Sequence, residues 1–125
     1  ACLDVVMPYV HERKQFGQAI GSFQALQHRA ADLFIELELA RSCVLAAIDA
    51  LHRDDAEAPA FASLAKATMG ELMRRMSHEM IQLHGGIGMT DAHDAGLYLK
   101  RGRAAALLHG DAAWHRDRYA RLRGY

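Results

Sequence analysis

Arg13 and Lys14 fall where a helix is expected to end, a place where cations complement the helix dipole. A guanidinium there can hold a phosphate through charge-assisted hydrogen bonds. Phe16 adds an aromatic face beside them, and Gln24 adds an amide able to read a base edge. The same residues also fit a plainer role, with Arg13 a solvated helix-end cation and Phe16 a loop anchor. A second stretch, Ile81-Gln82-Leu83-His84-Gly85-Gly86-Ile87-Gly88-Met89-Thr90, places two adjacent glycines after a helical pattern. Such a pair permits positive φ and lets a backbone or a flat ligand come close, or it simply stops a helix. No strand pattern precedes it, so it is not the dinucleotide fingerprint of a Rossmann unit.

Metal chemistry finds no support. A di-iron bundle needs Glu-x-x-His on facing helices. The residues three beyond each Glu are Gln15, Leu39, Arg41, Ala60, Arg74 and Gln82. Cys2 and Cys43 are far apart and show no ligand spacing, as in a reduced cytoplasmic chain. Fifteen basic residues balance fifteen acidic ones, which argues against a nucleic-acid partner. No apolar run reaches the roughly 18 residues of a membrane span, and no secretory signal is visible.

The elements that must position these residues are helical. About half of the 125 residues are apolar (51%), with only two prolines, which suits one helical domain. The chain opens Ala-Cys-Leu-Asp-Val-Val, already amphipathic, as though inside a helix that runs to about Phe16 with Leu3, Val6 and Val10 on one stripe. Gly17 and Gly21 bracket a short turn, and Ser22 is the expected N-cap of a second helix over 23–52. Its buried stripe is Leu26, Ala30, Leu33, Leu37, Ala40 and Val44, broadened by Phe34. Pro59 suits the first turn of a third helix that continues through Leu64, Ala67, Leu72, Met76 and Met80 to about Leu83. Asp94 is the expected cap of a final helix through Leu97, Leu99, Ala104, Leu107 and Leu108, with charged residues 116–123 crowding its end. No strand-like alternation persists. The expected fold is all-α, a single antiparallel four-helix bundle over 1–125.

Taken together, RKQFG…IGSFQALQH at 13–28 and IQLHGGIGMT at 81–90 strongly resemble the C-terminal domain of acyl-CoA dehydrogenases, across nearly the whole chain. The resemblance implies an antiparallel helical domain that builds a dimer or tetramer, as the C-terminal part of a longer protein. It implies FAD, lying between this domain and the family's other domains, with its adenosine and pyrophosphate reaching a neighbouring subunit. Carried onto matching positions, Arg13 would contact the pyrophosphate. Phe16 and Gln24 would line the flavin site of the adjacent subunit, and Gln82, Gly85 and Gly86 would border the adenosine end. The implied substrate is an acyl-CoA thioester, and the implied electron acceptor an electron-transfer flavoprotein or similar carrier. The 125 residues alone are expected to be inactive.

One departure concerns the catalytic base. Many members carry Tyr-Glu-Gly-Thr before the last helix, where the Glu takes the substrate α-proton and the Thr touches the flavin. Those positions hold Leu108, His109, Gly110 and Asp111 here. His109 is therefore the candidate base, since imidazole accepts protons near neutrality, and Asp111 the candidate flavin contact. Some relatives carry the base upstream of the position of Ala1 instead. The runs Tyr98-Leu99-Lys100-Arg101 and Gly110–Arg116 resemble bacterial relatives that work as two-chain assemblies. Trp114 is expected as a packing anchor. Two other readings stay open: a non-catalytic subunit or scaffold that has lost the base, and a related flavin enzyme of oxygen chemistry.

Overall fold

A computed structural model describes residues 2–125. Helix α1 spans Cys2–Glu12, and a two-stranded hairpin follows, β1 (Lys14–Gln15) with β2 (Gln18–Ala19). A 3₁₀ turn at Ile20–Ser22 leads into α2 (Gln24–His52). Helix α3 (Ala58–His84) ends in a second 3₁₀ turn, Gly85–Met89. Helices α4 (Ala95–Leu107) and α5 (Ala112–Leu122) complete the chain.

Cross-helix pairs fix the directions. Arg29 of α2 meets Glu79 of α3, and Glu36 meets Arg75, so residue numbers rise along one helix as they fall along the other. The same inverse order holds between α3 and the last two helices. Along α4, Gly102 lies against Met73 and the Ala105 and Ala106 carbonyls accept from Lys66; along α5, Arg116 pairs with Glu71 and Arg123 with Glu57. Helices α4 and α5 thus run the same way along successive parts of α3, and together they form the fourth arm of the antiparallel bundle. The all-α expectation holds, but the expected single final helix is broken at Leu108–Asp111. His109 (φ 62°) and Gly110 (φ 101°) both lie in the left-handed region, which no helix can carry through.

Helix α3 is the central element and packs against every other helix. Its first half buries small side chains, Ala60, Ser63, Ala67 and Gly70 among them, which lets neighbours come close. Its second half buries Leu72, Met76, Met80 and Leu83 against Val6 and Val10 of α1 and Leu33 of α2. Side chains of that size each contribute about 1.5–3 kcal/mol on full burial, so the core gathers at the end of the bundle that carries both sequence motifs.

Several local expectations are corrected. Helix α1 stops at Glu12 rather than Phe16, because Phe16 (φ 53°) and Gly17 (φ 81°) form a two-residue hairpin turn with both φ values positive. Lys14 then pairs with Ala19, and Gln15 with Gln18. Ser22 does not cap α2: its hydroxyl donates back to the Ala19 carbonyl, and Phe23 holds the N-cap position. Asp94 holds the N-cap position of α4, but its side chain makes no cap bond; the Ala95 amide donates to His93 Nδ1 instead. Phe34, expected to broaden the buried stripe of α2, is exposed, as are Leu97, Leu107 and Leu108. Among the described residues no helix is long and apolar enough to cross a membrane, and no three His, Cys, Asp or Glu side chains gather as a metal site requires.

Candidate functional site

The end of α1, the hairpin, the start of α2 and the end of α3 enclose an open groove of about 540 Å³. Five of the expected site residues line it: Arg13, Phe16, Gln82, Gly85 and Gly86. Each is placed by a specific local device. The Arg13 amide donates to Tyr9 O at 2.8 Å and its carbonyl accepts from the Ile20 amide at 2.8 Å, so the residue is tied to α1 on one side and to the turn on the other. Gly21 keeps that turn tight, since a Cβ there would stand 2.9 Å from the Val10 carbonyl oxygen. The hairpin turn holds Phe16 outward, 90% exposed, with its ring edge-on to Phe23 at 6.1 Å.

Electrostatics distinguish two arginines in the groove. Arg29 meets both carboxylate oxygens of Glu79, at 2.8 and 3.0 Å, so its charge is balanced. Arg13 is exposed and has no anionic partner among the described residues. An unbalanced guanidinium beside an exposed aromatic ring is suited to an anionic ligand with a flat ring system.

The glycines serve different ends. Gly85 has φ 64° and ψ −140°, and its amide donates to the carbonyls of Gln82 and Ile81, closing α3. A Cβ on Gly86 would meet nothing within 4 Å, so its backbone is open to the groove. Gly88 packs inward, where a Cβ would lie 2.8 Å from the Ile81 carbonyl oxygen.

Residues that sequence reasoning did not single out support this turn. Tyr9 Oη donates to the His84 carbonyl at 3.1 Å. His84 is buried, and its Nδ1 donates to the Met80 carbonyl at 2.7 Å. Burial pushes the His84 imidazole below its ordinary value; the Met80 carbonyl opposes this and nearby His93 adds to it. The spacing of Tyr9 from Arg13, one helical turn, was the available signal for Tyr9; for His84 it was the position just before the glycine pair.

The remaining three expected residues are not gathered with these five. Gln24 is the exposed first residue of α2, and its neighbours Phe23 and Ala25 line the groove while it does not. His109 and Asp111 lie at the elbow between α4 and α5, where Asp111 and Ala112 border a different hollow with Gly70 and Glu71. From Gly70 to His84 along α3 is ~20 Å at 1.5 Å per residue. The His109 carbonyl accepts from His115 Nε2 at 3.0 Å, and its exposed imidazole has no hydrogen-bond or ion-pair partner among the described residues. The Asp111 carboxylate caps α5, accepting from the Trp114 amide at 2.8 Å. Trp114 packs its ring against His115 and the Arg118 guanidinium but stays 48% exposed, so it anchors the elbow only in part.

Comparison with known proteins identifies the frame in which these parts sit. Residues 1–122 match the family described as acyl-CoA dehydrogenase, C-terminal domain. The acyl-CoA dehydrogenase IpdE2 of Mycobacterium tuberculosis is 44% identical over 107 residues, covering 86% of this chain and 32% of that protein. Among solved structures, a chain of the electron transferring flavoprotein of Acidaminococcus fermentans superposes with a TM-score of 0.93 at 27% identity, covering 98% of this chain and 32% of that one. The FAD complex of PigA gives a TM-score of 0.92 at 25% identity, with 98% and 32% covered. The chain thus spans about a third of the length of each of these three proteins. It belongs to the acyl-CoA dehydrogenase family, as the family's C-terminal domain.

Proposed function

We propose that this chain supplies the C-terminal, FAD-contacting and oligomer-forming domain of an enzyme that introduces an α,β double bond into an acyl-CoA thioester. The activity is proposed for the assembly in which the domain works, because the chain corresponds to about a third of its relatives. FAD, when bound, supplies the ring that accepts the substrate's β-hydrogen as hydride.

The observation that carries this reading is Arg13, unbalanced by any carboxylate among the described residues and sharing one groove with Phe16, Gln82 and the Gly85–Gly86 turn. Its guanidinium offers donors to a pyrophosphate. The exposed Phe16 ring covers a flat ring system, the Gln82 amide offers both a donor and an acceptor, and the bare Gly86 backbone allows close approach. Gln24, at the rim, would extend the same surface. The likeness to a solved FAD complex supports the choice of dinucleotide. The ~20 Å between this groove and the α4–α5 elbow suits an oligomer in which one chain's groove and its elbow serve different flavins. Asp111, at the elbow, would be the flavin contact there.

An electron-transfer flavoprotein or a similar carrier is proposed as the acceptor, supported by the likeness to a chain of such a flavoprotein's structure. A cytoplasmic setting is part of the same proposal, supported by the two free cysteines. The test is Arg13→Ala in the full-length protein, with FAD affinity measured by flavin fluorescence. Loss of a charge-assisted contact is expected to weaken binding about 10- to 100-fold. Unchanged affinity would remove the assignment.

A second reading, a non-catalytic subunit that has kept the bundle, is favoured by the elbow. The resemblance would place a carboxylate where His109 stands, and among the described residues no side chain bonds to its imidazole. Under that reading the base belongs to another chain or to another part of the protein. Steady-state turnover with acyl-CoA and an artificial acceptor, run beside oxygen uptake, separates dehydrogenase, oxidase and inactive partner.

A further inference from the structure

We infer that Tyr9 and His84 are positioning residues that preset the Gly85–Gly86 turn for the dinucleotide, and that His84 must be neutral to do so. This rests on the groove being the FAD site. The turn follows directly on the His84 carbonyl, and that carbonyl is held from α1 by the Tyr9 hydroxyl at 3.1 Å. The His84 ring lies between two others, 4.4 Å from Tyr9 and 4.1 Å from His93 by ring centroids. Three separate segments therefore meet on one imidazole: α1, α3 and the loop before α4. Gly88 packs against the stem of the same side chain, since a Cβ there would be 3.0 Å from His84 Cβ.

The hydrogen bonds fix the protonation state that this arrangement accepts. A carbonyl only accepts, so the 2.7 Å contact to Met80 O places the proton on Nδ1. Nε2 is then an acceptor, buried and without a partner. A second proton on Nε2 would put a cation where no acceptor meets it. Among groups facing the ring, Tyr9 comes from α1 and His93 from the loop before α4. His93 Nδ1 accepts from the Ala95 amide, so His93 cannot offer that lone pair. Arg13, just past α1, and Arg29 of α2 border the same groove, and Glu79 of α3 is engaged by Arg29. Burial and the His93 charge both push His84 below its ordinary value of 6.5. A histidine depressed in the folded state keeps its full contribution above 6.5. The contribution is lost as pH falls from there towards the lower folded value.

The experiment measures FAD affinity and thermal midpoint of the full-length protein from pH 5 to 8, for the parent, Tyr9→Phe, His84→Asn and His84→Leu. Tyr9→Phe removes one hydroxyl and keeps the ring stack; about tenfold weaker FAD binding with an almost unchanged midpoint is expected at neutral pH. Asparagine can place its Nδ2 where histidine has Nδ1. His84→Asn is therefore expected to retain more FAD than His84→Leu, and to lose the parent's fall in affinity below pH 6.5. A role in stability alone would move the midpoint and leave this pH profile in place. If Tyr9→Phe and His84→Asn bind FAD as the parent does, with the parent's pH profile, the inference is overturned while the FAD site stands. A parent that binds no FAD overturns both.

Discussion

Arg118 of α5 donates to the Ser63 hydroxyl, buried in the second turn of α3, and His115 Nδ1 approaches the same oxygen at 3.4 Å. The rest of this network reaches the elbow: His115 Nε2 bonds the His109 carbonyl, and Arg118 also holds the Pro59 carbonyl. A serine that is 0% exposed thus ties the last helix, and the turn carrying His109, to the bundle's central element.

Ser63→Ala is expected to destabilise the protein by about 1–3 kcal/mol, because it leaves an Arg118 donor without its acceptor and the buried His115 Nδ1 without the hydroxyl that donates to it. Denaturant unfolding of parent and variant checks this. An effect under ~0.5 kcal/mol would show that water or a shifted rotamer replaces the hydroxyl.

Gly85 and Gly86 separate conformation from access. Gly85→Ala forces a Cβ onto a backbone at φ 64°, a strain of about 1–3 kcal/mol, and should lower the thermal midpoint. Gly86 carries no positive φ and an added Cβ meets nothing, so Gly86→Ala should leave stability within ~0.5 kcal/mol while weakening FAD binding. Equal loss of stability in both variants would contradict the division of labour between them.

These residues also show how far the sequence could be read. The bundle was legible because helical periodicity survives in Val6, Val10, Leu33, Ala40, Leu72, Met76 and Met80, all of which are buried. The groove was legible because Arg13, Phe16, Gln82 and the glycine pair sit in two compact motifs. The elbow was not, since nothing in Leu108-His109-Gly110-Asp111 but the glycine signals a stop, and His109 adopts a positive φ that local propensity does not favour. The hairpin escaped for the same reason at Phe16. Phe34 misled because an apolar residue on a helix was assigned to the core of one chain, whereas it is exposed in it.

Phe34, Leu45 and Ile48 lie on one side of α2 at helical spacing, and all three are exposed. If that side meets another subunit, Leu45→Glu with Ile48→Glu should lower the mass measured by light scattering by at least half while leaving the helical circular dichroism signal intact. An unchanged mass would move the oligomer contact elsewhere.

The last prediction concerns His109 and decides between the two readings of the elbow. As a base, its imidazole would have to take the substrate's α-proton directly, so His109→Ala should lower turnover by about 100-fold or more with FAD still bound. His109→Gln cannot rescue that loss, because an amide does not accept a proton near neutral pH. As a bystander, the imidazole contributes nothing to chemistry, and the backbone carbonyl that His115 holds is present in both variants. Turnover would then stay within a few-fold of the parent, provided the full assembly is assayed. A His115→Gln variant completes the argument. Its amide can still donate to the His109 carbonyl, so it should keep the elbow in place. Turnover lost in His109→Ala but kept in His115→Gln would assign the chemistry to the imidazole itself, whereas equal losses in both would assign the effect to the shape of the turn.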